Sequence, residues 1–447
     1  MPRIRFPHTL TLLVGCILLA AALTYVVPAG EFQRRDDPAT GRSVVVSGTY
    51  ARVEATPVSP FGAFIAIPKG FAEAASVIAL VFLVGAAFAV VERVGTLGRV
   101  VEWLAVRLAN RGALVFPVAG VVFSLGGILM QTQEELIAFV PALLLLSRQL
   151  GFSPLAVVAM SLGTAAVGAA FSPVDPFQVL IAQRVAQLPP ASGAGFRIAF
   201  LVPAVLIWIW GTARYANRTR TPPAAASGMA AVRFRWQDLT ILASIFLTLG
   251  MYVYGAQHLG WEFDQLSAMF FAVGVLAGIL GRLGPDGTAE AFVDGFRSMA
   301  YASLLIGFAR AIYVVLNEGK IVDTLVNGLF SPIAGLPATL SAVGMMVAHV
   351  AVHVPVPSTS GHAVLTLPLL VPLSDLIGLS RQVTVLAYQY GAGLCDLLTP
   401  TNGALMAMLA AAGVRYEEWL RFALPLFAIL LGLGALAIAV GVATGLH

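Results

Sequence analysis

Apolar residues run along this chain in long blocks separated by short polar interruptions, not in the half-polar periodicity of surface helices. Uncharged runs cover 9–30, 74–91, 113–130, 198–213, 239–257, 265–281 and 422–447. Each is long enough, or nearly so, to cross about 30 Å of hydrocarbon. The pattern predicts a first span over 9–28, then a polar loop over 29–70. In that loop Pro38-Ala39-Thr40-Gly41 reads as a turn, and Val44-Val45-Val46 with Thr49-Tyr50-Ala51-Arg52-Val53 as a small β-hairpin. A second span follows over 72–92. Residues 96–109 alternate arginines with apolar residues at helical spacing and predict a helix lying on the membrane surface. Apolar runs at 113–130 and 136–146 flank the polar tip Gln131-Thr132-Gln133-Glu134-Glu135, 153–187 is a helix broken at 172–176, and 195–213 is a further span. A Pro- and Ala-rich linker occupies 214–235. Beyond it the expected spans are 239–257, 265–281 and 299–316, with a second surface helix over 320–330. Runs at 336–354 and 364–377 flank a second tip, 355–362, followed by a broken helix over 382–412 and a last span over 419–445.

The two breaks are copies. Ser172-Pro173-Val174-Asp175 falls on Thr399-Pro400-Thr401-Asn402 at an offset of 227 residues, and the same offset pairs Thr132 with Thr359, Pro141 with Pro368 and Gly151 with Gly378. Prolines and glycines are the residues that apolar bias alone brings into register least often. A helix interrupted by proline leaves backbone groups without partners. Lipid cannot satisfy them, so such a break sits in protein or lines a wet cavity. Matching interrupted segments in two halves are the sequence pointer to a carrier's binding site. If the polar tips are re-entrant hairpins, an odd number of crossings separates the copies, and the second lies upside down.

The expected fold is therefore an all-α polytopic membrane protein. It is an inverted repeat of about nine transmembrane helices plus two re-entrant hairpins and two broken helices. Residues 1–213 form the first repeat, with its hairpin over 113–150 and broken helix over 153–187. Residues 214–236 are a cytoplasmic linker. Residues 237–447 are the second half, with an extra span at 239–257, a hairpin over 336–377 and a broken helix over 382–412.

Composition agrees. Of 447 residues, 59% are hydrophobic and 11% charged, against about a quarter charged in soluble domains, which excludes a soluble globule. The formal net charge is +4, and its placement matters more than its size. Arg3 and Arg5 precede the first span; Arg93, Arg99, Arg107 and Arg111 follow the second; Arg214, Arg218, Arg220, Arg233 and Arg235 fill the linker. The positive-inside rule places all of them in the cytoplasm, with the N-terminus inside and the C-terminus outside a bacterial inner membrane. Each cluster abuts a span, so a nucleic-acid partner is not expected; the partners are a small-molecule substrate and the lipid bilayer. The first apolar run exceeds a signal-peptide core, so a retained helix is expected there. Cys16 and Cys395 lie in apolar segments and imply no disulfide framework.

Four polar patches carry the candidate chemistry: 131–135, 172–175, 358–362 and 399–402. Helix ends meeting there offer N–H groups to anions and carbonyls to cations. Thr132, Ser172, Ser358, Thr359, Ser360, Gly361, Thr399 and Asn402 are candidates to bind substrate or a coupling ion. Glu134, Glu135, Asp175 and Asp396 are carboxylates at membrane depth, where ionisable groups are expensive and default to function. Arg310 lies inside the expected span 299–316 and either pairs with one of them or holds a substrate carboxylate. An acidic pocket with one arginine suits a zwitterion or cation better than a dianion. His349 and His353 stand one helical turn apart, but no carboxylate completes a zinc motif, and helix packing is the preferred reading. His362, in a polar tip, suits proton coupling, as do Asp175 and Asp396. No metal or organic cofactor is expected; H+ or Na+ is the coupling ion. Ser358-Thr359-Ser360-Gly361-His362 has no nucleophile elbow or oxyanion hole around it, so the chain is not read as an enzyme; phosphate-loop and dinucleotide motifs are absent, so ATP-driven pumping by this chain is not expected.

At these residues the chain resembles the YfcC-like basic amino-acid antiporter family, grouped with the anaerobic four-carbon dicarboxylate carriers of the ion-transporter superfamily. The resemblance rests on Leu23 through Phe32, Ser47-Gly48-Thr49-Tyr50, Glu134-Glu135, Asp175-Pro176-Phe177 with Ile181-Ala182-Gln183, Ser358 through His362, Ser380-Arg381-Gln382-Val383, Pro400-Thr401 and Glu418-Trp419. It implies a scaffold domain that dimerises, a transport domain of hairpins and broken helices, and an elevator-type movement. The family pattern implies Asn at 175, Gln at 362, Asn at 396 and Ser at 402, where this chain has Asp175, His362, Asp396 and Asn402. The extra ionisable groups point to proton coupling or a more cationic substrate. The expected function is secondary active transport of basic or zwitterionic amino acids, by exchange or ion coupling. A coupled dicarboxylate or organic-acid carrier is the alternative, and a membrane-embedded sensor is the reading outside that class.

Overall fold

The computed structural model describes residues 8–37, 42–46, 48–100, 103, 112–221 and 235–446. Helix α1 (Thr9–Val26) leads into a loop carrying four short strands: β1 (Gly30–Glu31), β2 (Arg34–Asp37), β3 (Arg42–Val45) and β4 (Ala51–Arg52). The expected hairpin does not form. β3 pairs with β2 instead, Arg34 opposite Val45, while β4 pairs with β1. The register is set from outside the loop: Asp323 accepts the Phe32 N–H (2.8 Å) and the Arg34 guanidinium (2.8 Å), which holds β2 in place. The end of the expected loop is also wrong. Residues 60–73 form helix α2 (Pro60–Glu73), started by proline at its first turn and by Ser59, whose side chain accepts from Gly62. Helix α3 (Ala75–Arg93) follows. The predicted surface helix is described, and helical, at 96–100 and at Trp103; its other residues, the turn at 38–41 and linker residues 222–234 lie outside the described set.

Next come α4 (Gly112–Met130), α5 (Gln133–Ala138) and α6 (Val140–Leu150). Helix α7 (Pro154–Ala170) contains a π-helical stretch at Ala159–Gly163. After the break a π-turn (Pro176–Leu180) runs into α8 (Ile181–Val185). Then follow α9 (Ala194–Arg218), α10 (Trp236–His258), α11 (Phe263–Leu280) and α12 (Gly284–Glu318). Helix α9 runs five residues into the expected linker, and α12 begins well before the expected span at 299–316. The order continues with α13 (Val322–Phe330), α14 (Ala338–His353), α15 (Thr359–Leu376), α16 (Arg381–Cys395), α17 (Gly403–Ala411) and α18 (Tyr416–Ala443). Among the described residues, five helices are long and apolar enough to cross a membrane: α3, α9, α11, α12 and α18. The apolar stretches Leu10–Val26 of α1 and Pro117–Leu129 of α4, and helices α6, α7 and α14, are shorter.

The offset of 227 residues holds for the elements as well as for the residues. Gly151 and Gly378 both leave a helix in the left-handed conformation, φ 78° and 68°. Ser153 and Ser380 both cap the next helix, which starts at Pro154 and at Arg381. Asp175 and Asn402 both cap the segment beyond the break, which starts at 176 and at 403. Each copy packs its hairpin's first helix on its own broken helix, α4 on α7 and α14 on α16. The first contact needs glycine: a Cβ on Gly127 would lie 2.0 Å from the Ala165 carbonyl oxygen. Most buried apolar residues join one core built from both copies, and α3, α10, α11 and α12 share a second. Exposed apolar side chains such as Leu206 on α9, Phe246 on α10 and Ile279 on α11 stand on outer faces, as expected for a lipid-facing surface.

Candidate functional site

Each break closes on its own hairpin. Ser172 donates to the Ile128 carbonyl at 2.7 Å and accepts from the N–H groups of Val174 (3.0 Å) and Asp175 (2.9 Å). In the second copy Thr399 and Thr401 share a hydrogen bond of 2.7 Å, and Thr401 donates to the Val354 carbonyl at 2.5 Å. One hydroxyl in each copy thus satisfies a main-chain carbonyl next to the break. Asp175 caps with one oxygen, taking the N–H groups of Phe177 and Gln178 at 2.8 Å each. Its other oxygen is buried with no partner among the described residues. Asn402 caps α17 through Leu405 at 3.1 Å.

The two tips meet. Gln131 holds a left-handed conformation, φ 53°, unusual for a residue with a side chain and a local source of strain. Its amide oxygen accepts from Thr359 Oγ1 at 3.0 Å. Gln133 donates to Asp396 at 3.2 Å, and Asn402 donates to Asp396 at 2.8 Å and to Gln133 at 3.4 Å. Tip one therefore touches tip two and break two. Thr132 lies against Gly126, where an added Cβ would come within 2.7 Å of its hydroxyl. Both tips are shorter than expected. Gln133, Glu134 and Glu135 lie in the first turn of α5, and Thr359, Ser360, Gly361 and His362 in the first turn of α15. The helix starts early in the second tip because Ser358 takes the N–H of Gly361 on its side chain (3.3 Å) and that of His362 on its carbonyl (2.7 Å). Glu135 is buried and Glu134 half-buried.

Break one is joined to the second copy through Gln389, near the middle of α16. Gln389 donates to the Ser172 carbonyl at 2.7 Å, its backbone carbonyl accepts from the Gln178 side chain at 2.9 Å, and its amide oxygen accepts from Arg197 at 2.9 Å. Arg197 is fully buried at the start of α9.

Among the described residues, Arg310 forms no ion pair with Glu134, Glu135, Asp175 or Asp396, contrary to one sequence expectation. It binds Glu73 at 2.8 Å and sits 4.8 Å from the Tyr313 ring, because helix α2, missed in the sequence, brings Glu73 beside it. Arg310, Ser358 and Gly361 line the same cavity of about 330 Å3, with Arg34, Tyr313 and Asn317.

Three histidines form a hydrogen-bonded series that ends on Asp396. His349 meets His362 at 2.8 Å, His362 meets His353 at 3.2 Å, and His353 meets Asp396 at 2.9 Å. All three rings are buried. The sequence reading favoured packing for His349 and His353; both are packed, and both are also hydrogen-bonded into the site. Among the described residues no group of three His, Cys, Asp or Glu is arranged to hold a metal. The residues that sequence reasoning passed over are Gln131, Gln133, Arg197, Gln389 and Thr401. Gln131 and Gln133 stood inside a quoted motif, where the glutamates drew the attention. Arg197 and Gln389 were single polar residues in apolar runs, the same signal that marked Arg310.

An apolar helical chain with a buried polar centre, assembled from paired helix breaks, is a multi-pass membrane transport protein. The chain belongs to the C4-dicarboxylate anaerobic carrier family, DcuC, whose model matches residues 6–443. The family is one of secondary transporters, not enzymes. The chain is 28% identical to YfcC of Escherichia coli (strain K12), covering 99% of this chain and 97% of that protein. YfcC carries a provisional description as a basic amino acid antiporter. An uncharacterized protein of Haemophilus influenzae is 26% identical over 98% of this chain and 97% of its own length. Among solved structures, the Alcanivorax borkumensis YdaH transporter is 18% identical, covering 98% of this chain and 99% of that one at a TM-score of 0.44. Neisseria gonorrhoeae MtrF, described among antimetabolite efflux pumps, is 18% identical at a TM-score of 0.43, covering 98% and 96%.

Proposed function

We propose that this chain is an elevator-type secondary transporter of basic or zwitterionic amino acids, working by exchange or by coupling to H+ or Na+. The reading rests on one observation above all: Gln131 bonds Thr359, Gln133 bonds Asp396 and Asn402, and Gln389 bonds Ser172, so polar groups of the two copies are bonded to one another. Substrate binds between the tips and the breaks. Thr132, Ser172, Ser358, Thr359, Ser360, Thr399 and Asn402 offer it hydrogen bonds, Gly361 lets it approach the backbone, and Glu134, Glu135 and Asp175 select for positive charge. Arg310, which lines the same cavity as Ser358 and Gly361, takes a substrate carboxylate. The two copies are antiparallel, with about nine spans and two re-entrant hairpins. The hairpins and broken helices form the moving domain and the remaining helices the scaffold of a homodimer. The protein sits in the bacterial inner membrane, N-terminus inside and C-terminus outside.

One observation favours a second reading, a coupled dicarboxylate or organic-acid carrier. Arg34 lines the same cavity as Arg310, and two guanidinium groups suit a dianion. Counterflow in proteoliposomes separates the two. Vesicles loaded with unlabelled arginine, ornithine, alanine or succinate are offered the labelled form. Exchange of arginine or ornithine supports the first reading; exchange of succinate alone transfers the function to the second.

A further inference from the structure

We propose that His349, His362, His353 and Asp396 form a proton wire that loads one proton onto Asp396 and so loosens Gln133 and Asn402 at the centre of the site. The proposal rests on the transport reading and adds the route and the consequence of coupling.

The geometry of His362 carries it. Its Nε2 faces His349 Nδ1 at 2.8 Å, while its Nδ1 faces His353 Nδ1 at 3.2 Å. The two contacts use opposite edges of one ring, so the lone pairs diverge and share no centre where a metal could sit. A bridging imidazole that accepts on one nitrogen and donates on the other is a relay. The far end of the series is His353 Nε2 on Asp396 Oδ1 at 2.9 Å. The near end is His349 Nε2, buried and without a partner among the described residues.

The protons balance. In the resting arrangement each histidine is neutral: His353 carries its proton on Nε2 and gives it to the ionised Asp396, His362 donates from Nδ1 to His353, and His349 donates from Nδ1 to His362. A proton arriving at His349 Nε2 sends the Nδ1 proton to His362 Nε2. His362 then passes its Nδ1 proton to His353, and His353 passes its Nε2 proton to Asp396. All three histidines end neutral in the opposite tautomer, and one proton has been added to the carboxylate.

The carboxylate is where the wire meets the site. Ionised Asp396 accepts from Asn402 at 2.8 Å and from Gln133 at 3.2 Å. Hydrogen bonds to an ionised acceptor are about twice as strong as neutral ones, so protonation loosens both. Asn402 belongs to break two and Gln133 to tip one, so the proton acts on the joint between the copies. Among the described residues, Tyr388, Phe330 and Cys395 pack around the wire. The Tyr388 ring lies 5.5 Å from His349 and 5.6 Å from His362, and its hydroxyl donates to the Thr359 carbonyl at 2.6 Å. Phe330 covers His349 at 5.0 Å, and the Cys395 thiol points to the Val350 carbonyl at 3.4 Å. Glu134, at the start of α5, is a further carboxylate within electrostatic reach of Asp396.

The test measures proton and substrate movement together, in proteoliposomes containing a pH-reporting dye, with whichever amino or organic acid the wild type exchanges. The wild type is expected to move protons with substrate. His349→Asn keeps a donor toward His362 but cannot pass a proton on, and His353→Gln does the same beside Asp396. Both are expected to retain counterflow and wild-type melting, and to lose substrate-linked proton flux by roughly a hundredfold, as when a positioned proton-transfer group is removed. Because two variants are used, failure of either to fold leaves the other as the test. Wild-type proton flux in either folded variant overturns the wire, as does substrate movement by the wild type without protons. If the wild type exchanges nothing offered, the transport reading itself falls and takes the wire with it.

Discussion

Gln389→Leu removes the joint between break one and the second copy while keeping the size of the side chain. Two side-chain bonds are lost: the donation to the Ser172 carbonyl at 2.7 Å and the acceptance from the Arg197 guanidinium at 2.9 Å. A neutral buried bond is worth about 1 kcal/mol and one to a charged group about 2 kcal/mol. The joint therefore weakens by roughly 3 kcal/mol, an increase of about a hundredfold in the opened population. Arg197 keeps its contacts to the Ser192 carbonyl (2.7 Å) and Gln382 (3.2 Å), and the Gln178 side chain keeps its bond to the backbone of residue 389. Break one should thus loosen without global unfolding. Hydrogen–deuterium exchange read by mass spectrometry checks this, with amides across 172–180 expected to exchange about a hundredfold faster and those of α9 little changed. Exchange across 172–180 at the wild-type rate would refute the claim that Gln389 holds the break.

Two further perturbations probe the frame around the site. Gly127→Ala puts a methyl group 2.0 Å from the Ala165 carbonyl oxygen, so melting in detergent should fall by an amount matching at least 1–3 kcal/mol of overpacking, roughly the usual range. Gly15→Ala, with nothing within 4 Å, should melt as wild type. Asp238, at the first turn of α10, is the second case. Burial alone would raise its pKa, but Arg99, Thr96 and the Arg235 N–H outweigh it and hold the carboxyl down to about 2. A depressed carboxylate stabilises the folded state above its unfolded pKa, about 3.9, and that stabilisation is lost as pH falls through the folded value. Melting temperature should therefore drop between about pH 4 and pH 2, and Asp238→Asn should flatten that drop while lowering stability at neutral pH.

The 227-residue offset, the apolar blocks and the proline breaks were legible in the chain, and they account for the helices, their shared boundaries and the place of the polar centre. A break at Ser172 or Thr399 is local chemistry: proline removes a donor, and a neighbouring Ser, Thr, Asp or Asn caps the segment beyond it. The backbone carries that information wherever the segment lies. Local signals were also present and unread, as with Ser59 and Pro60 at the start of α2. The partners across the fold were not legible. The pairing of Arg310 with Glu73, of Arg34 with Asp323 and of Gln389 with Ser172 joins residues about 200 or more positions apart, and an apolar run gives no sign of what its one polar side chain will face. The histidines show the division most sharply. Their spacing on α14 was visible, but whether His362 would bridge His349 and His353 depended on how α15 packs beside α14, and only the assembled structure decides which nitrogen meets which.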